Sequence, residues 1–70
     1  MNYDKAQSLT YALCEVVDNE KISGYARGVI VKTTFKVVCD LVGETIARRI
    51  LAERCRHDSS APDVIALIDK

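Results

Sequence analysis

The sequence predicts an all-α fold, a small domain of three to four helices assembled as a helical homodimer. Apolar residues recur at helical spacing in three separate stretches. Residues that open and close helices flank those stretches. The third observation is quantitative: 49% of only 70 residues is apolar, a surplus that so short a chain cannot cover alone. The whole of residues 1–70 reads as one domain, without internal repeats or low-complexity segments.

The first helix is expected from about residue 4 to 19. Asp4 reads as its N-cap, with Gln7 three positions on in a capping-box pattern. Ala6, Leu9, Leu13, Val16 and Val17 then share one helical face. "DNEKISG" ends the helix, because Asp18 and Asn19 favour turns and Gly24 weakens helical propensity.

The second helix, about 25 to 43, contains an ambiguous stretch, "VIVKTTFKVV". Its alternation of apolar and polar residues supports an α+β alternative with a strand at about 29–38. That strand would be long against a usual five or six residues. Its solvent side would carry Ile30 and Val38, and no hairpin partner follows. Read as a helix, Lys32, Thr33, Lys36, Asp40, Gly43 and Glu44 form one polar sector. The apolar arc that remains covers roughly 200°, too wide for a helix packed on one side. The expectation is therefore a dimer built on the stripe Val31, Phe35, Val38 and Val42.

Past Ile46 the phase breaks, since Arg48 and Arg49 would fall on the apolar side of a straight continuation. Gly43 offers a kink, with Thr45 capping a third helix from about 45 to 56, although one continuous helix is the alternative. Glu44 with Arg48, and Arg49 with Glu53, are pairs of opposite charge one turn apart. "RHDSSAPD" is a loop, and Ser60 is expected to cap a short fourth helix, 61 to 69, with Pro62 in its first turn. Val64, Ile65, Leu67 and Ile68 give that helix an apolar face.

No motif for chemistry emerges. Cys14, Cys39, Cys55 and His57 are the only residues that could supply a cysteine-rich zinc set, and they lack the two close pairs of structural sites. Cys55, His57 and Asp58 include a nucleophile and a base, but neighbours in sequence seldom converge on one reacting atom. "SGYARG" has neither the spacing nor the lysine of a phosphate-binding loop. The expectation is a non-enzymatic chain with no metal and no cofactor. Three scattered cysteines, no apolar leader and no run of about 20 apolar residues suggest a reducing, cytoplasmic setting away from membranes.

Charge is balanced overall but uneven. Residues 1–20 carry Lys5 against Asp4, Glu15, Asp18 and Glu20, a net −3. Residues 21–56 carry eight Lys or Arg against Asp40, Glu44 and Glu53, a net +5. The basic residues of 27–56 support an alternative reading as a small DNA-binding transcriptional regulator. Neither helix-turn-helix nor ribbon-helix-helix spacing is met. The favoured expectation is a regulator or adaptor that dimerises and binds a larger protein, with Arg48, Arg49, Arg54 and Arg56 as polar contacts.

Overall fold

Helical spacing prevails over strand-like composition between Val29 and Val38: the whole stretch lies inside one helix. The computed structural model describes residues 1–54 and 56–70. These residues form four helices, α1 (Asn2–Asp18), α2 (Gly24–Val42), α3 (Glu44–Arg54) and α4 (Ala61–Ile68). Among the described residues there is no strand, so the α+β alternative is corrected. The β-branched residues of α2 accept a helix because their tertiary burial outweighs a modest propensity cost.

Each helix supplies part of one shared core. Ala6, Leu13 and Cys14 come from α1, Val31, Phe35 and Val38 from α2, Ala47, Ile50 and Leu51 from α3, and Ala61 and Val64 from α4. Leu13 and Leu51 are almost completely covered, each contributing about 1.5–3 kcal/mol. Thr10 is buried among them, and its hydroxyl donates to the Ala6 carbonyl at 2.8 Å. That local bond removes the cost of hiding a hydroxyl.

α1 and α2 run antiparallel and form the most extensive helix pair. Asn2 Nδ2 donates to the Leu41 carbonyl at 3.4 Å, tying the start of α1 to the end of α2. At the other end, Arg27 Nη2 donates to the Asn19 carbonyl at 2.7 Å. The Ser23 hydroxyl caps α2 by accepting from the Ala26 N–H at 3.2 Å.

Helix limits correct several sequence expectations. α1 starts at Asn2, so Asp4 stands in its first turn instead of at the cap. α3 starts at Glu44, so Thr45 is inside the helix. Gly43 makes the break between α2 and α3, with φ 86 and ψ 153, a region held essentially by glycine alone. Its N–H donates to Cys39 and its carbonyl accepts from Ala47, closing one helix and opening the next. Ser60 precedes α4, but its hydroxyl makes no capping bond. Instead the Ser60 N–H donates to Asp58 Oδ1 at 2.9 Å, and the Ser60 carbonyl accepts from Val64.

Among the described residues no helix is long and apolar enough to cross a membrane.

Candidate protein-binding surface

The stripe expected to join two chains serves this chain's own core. Val31 and Val38 are fully buried within one chain and Phe35 is 6% exposed. Val42 is half-buried and packed against the same cluster. A second copy cannot use side chains already covered, so the expected interface is corrected in its location. The error has a physical source: the wide arc of α2 is packed on two sides, as expected, but α1, α3 and α4 supply the cover.

The four arginines do not form one patch. Arg48 binds Asp69 at the end of α4, with distances of 2.8 and 3.4 Å to its two oxygens. It also lies 4.0 Å from Glu44 and 5.7 Å from the centre of the Phe35 ring. The Asp69 bond raises the Arg48 guanidinium above its ordinary value, and Arg48 in turn holds the Asp69 carboxyl below its own. Arg48 therefore ties α4 to α3.

Arg54 has a similar internal task. Its guanidinium stacks 3.9 Å from the Tyr11 ring centre and pairs with Asp58 at 3.4 Å. Among the described residues its Nε is buried without a hydrogen-bond partner, and the stack and the ion pair hold this side chain. Asp58 is pushed below the usual carboxylate range, first by the Ser60 N–H and then by Arg54. Arg49 and Arg56 remain exposed. The expected Arg49–Glu53 pair is replaced by Arg56 with Glu53 at 3.9 Å.

The residues considered for chemistry lie in unpromising places. Burial raises the Cys14 thiol, helped by Asp58, and burial also raises Cys39. Both shifts disfavour the thiolate that a nucleophile or metal ligand needs. Cys55 lies outside the described residues, so neither the zinc set nor the Cys55, His57 and Asp58 trio is described in full. Among the described residues no three metal-ligating side chains gather. Between α1 and α3, Tyr3, Tyr11, Arg54 and His57 border a recess of about 50 Å³, room for a water or two and far below a substrate pocket.

Another recess is lined by residues of α1 and α2 and by Met1. This open groove of about 540 Å³ is lined by Met1, Asp4, Lys5, Ser8, Leu9, Val37 and Leu41. Helical spacing extends this face along both helices. Ala12 and Val16 follow Leu9 by three and seven residues, and Ile30 precedes Val37 by seven. Thr33 and Thr34 lie between them. Val37 is 46% exposed and Ile30 37%. Charge lies beside these apolar residues, since Glu15 follows Ser8, and Asp40 follows Thr33, by seven residues. Arg27 lies elsewhere, in a recess with Val17, Asp63 and Leu67.

The sequence contained the signal for this surface. Ile30, Val37 and Leu41 belonged to the wide apolar arc, and Leu9 and Val16 to the α1 stripe. Which part of each arc remains uncovered depends on where α3 and α4 pack.

Comparison with protein families, curated proteins and solved structures yields no significant match.

Proposed function

We propose that this chain is a non-catalytic regulator or adaptor that acts by binding protein. The observation that supports the reading is the open α1/α2 groove, where Met1, Leu9, Val37 and Leu41 stay accessible with Asp4 and Lys5 beside them. A surface of that kind loses little desolvation energy when another apolar surface covers it, and so favours association. Arg49 and Arg56, free of the internal duties of Arg48 and Arg54, are the polar contacts that remain for a larger partner. The same division argues against the DNA-binding alternative, because Arg48 and Arg54 are engaged with carboxylates instead of standing ready for phosphates.

The test is capture from lysate by the tagged full chain, with nuclease-treated and untreated halves compared. Wild type is expected to retain a protein partner after nuclease. Val37→Glu or Arg49→Glu/Arg56→Glu should weaken that capture. Loss of all capture on nuclease treatment, or equal capture by both variants, would overturn the reading.

A further inference from the structure

We infer that the surface shared by α2 and α4 binds an acidic amphipathic helix of a partner protein. The inference rests on the protein-binding reading and names the chemistry of one partner. It concerns a surface that shares no lining residue with the α1/α2 groove.

Two recesses make up this surface. One, of about 340 Å³, is lined by Phe35, Cys39 and Ile68 together with Lys32, Lys36 and Arg48. The other, of about 300 Å³, is lined by Tyr25, Gly28, Val29 and Leu67 together with Lys32 and Lys70. Lys32 belongs to both, so the two adjoin at that side chain. Gly24, Gly28, Lys32, Lys36 and Cys39 follow one another at steps of four, four, four and three residues, which places them on one face of α2. From Gly24 to Cys39 that face runs about 22 Å at 1.5 Å per residue, the length of a helix of about 15 residues.

Charge complementarity selects the partner. Lys32, Lys36, Arg48 and Lys70 line the two recesses against a single carboxylate, Glu44. Arg48 is engaged by Glu44 and by Asp69. Lys32, Lys36 and Lys70 are exposed and, among the described residues, pair with no carboxylate. Asp40 follows Lys36 by four residues and makes no ion pair with it. Three unpaired cations beside apolar side chains match a helix that carries carboxylates along the edge of an apolar face.

The apolar side chains favour protein over nucleic acid. Tyr25 is 84% exposed and Val29 49%. An amphipathic helix covers such groups with its own apolar face, whereas a phosphate backbone is held by charge. Gly28 supports a close approach. It stands inside α2, where glycine weakens a helix relative to alanine. A Cβ there would meet no atom within 4 Å, and its φ is not positive. Neither the packing nor the backbone of this chain requires glycine at that position, and the bare main chain lets a second helix come near.

Fluorescence anisotropy of the purified full chain tests this, with a labelled helical peptide of about 15 residues that carries leucine on one face and glutamate on the other. Micromolar binding that weakens as salt rises is expected. The same peptide with lysine in place of glutamate, and a DNA duplex of mixed sequence, should each bind at least tenfold more weakly. Lys32→Glu and Lys36→Glu should each weaken binding at least fivefold while helicity by circular dichroism stays unchanged. Lys21→Glu, exposed and outside both recesses, changes the net charge equally and should stay within twofold of wild type. Gly28→Ala should raise the urea midpoint yet weaken binding at least threefold. No binding at about 100 μM, equal binding of the acidic and basic peptides, or tighter binding of DNA would overturn the inference. So would a Lys21→Glu effect as large as that of Lys32→Glu, or wild-type binding by Gly28→Ala. Because only purified chain and synthetic probes are measured, such a failure removes the acidic helix as partner and leaves the lysate capture to decide the protein-binding reading.

Discussion

Phe35→Ala is the sharpest test of whether the α2 stripe belongs to one chain's core. Phe35 is 6% exposed within a single chain, and the Arg48 guanidinium stands 5.7 Å from its ring centre. Replacing a buried Phe by Ala costs about 3–5 kcal/mol, from lost transfer energy and the cavity left behind. At roughly 0.05–0.15 kcal/mol per residue, a chain of this length has about 3.5–10 kcal/mol in total. The substitution should therefore remove a third or more of the stability and can unfold the chain outright. Phe35→Leu keeps most of the volume and should cost about 1–2 kcal/mol. Urea unfolding followed by circular dichroism, at two protein concentrations a hundredfold apart, measures both variants. Because Phe35 is covered by its own chain, the loss from either substitution should be nearly the same at both concentrations. The reasoning fails if Phe35→Ala costs less than about 1 kcal/mol, or if helicity survives while only self-association is lost.

Gly43→Ala should destabilise the chain by about 1–3 kcal/mol. A Cβ there would meet no atom within 4 Å, so the cost is backbone strain at φ 86. An unchanged urea midpoint would refute this. Arg54→Ala should cost about 1–2 kcal/mol through loss of the Tyr11 stack and the Asp58 pair. Arg54→Lys should recover only part of that, because an ammonium lacks the planar fork, and equal stability of the two variants would refute it. Acid should loosen the fold. Asp58 and Asp69 have depressed folded values, so their contribution is present above the unfolded value of about 3.9 and is lost as pH falls through the folded value. Melting temperature should therefore drop in acid, and Asp69→Asn should show a smaller drop; an identical acid loss in that variant would refute the Arg48–Asp69 assignment.

The all-α class and the approximate helix limits were legible in the sequence, while the continuity of the second and third helices was left open. Periodicity of apolar residues is a local property, and the breaks at Gly24, Gly43 and "RHDSSAPD" are written in single residues. Cap details were less legible, because Asp4, Thr45 and Ser60 have the chemistry of caps without the geometry: Asp4 and Thr45 sit inside helices, and Asp58 takes the bond beside Ser60. The width of the α2 arc was also legible, and it correctly required packing on two sides.

Only the tertiary structure decided which neighbours fill that arc. It assigned Val31, Phe35 and Val38 to the chain's own core and left Ile30 and Val37 outward. It likewise separated Arg48 and Arg54, held by Asp69 and Asp58, from exposed Arg49 and Arg56. A helical wheel ranks the residues of one helix by direction, whereas burial and ion pairing depend on where residues 20 or 30 positions away return. Arg48 meets Asp69 across 21 positions, and Asn2 meets Leu41 across 39. Spacing within one helix carries no record of such distant partners, so the open α1/α2 face could be located only after α3 and α4 had taken their side of the core.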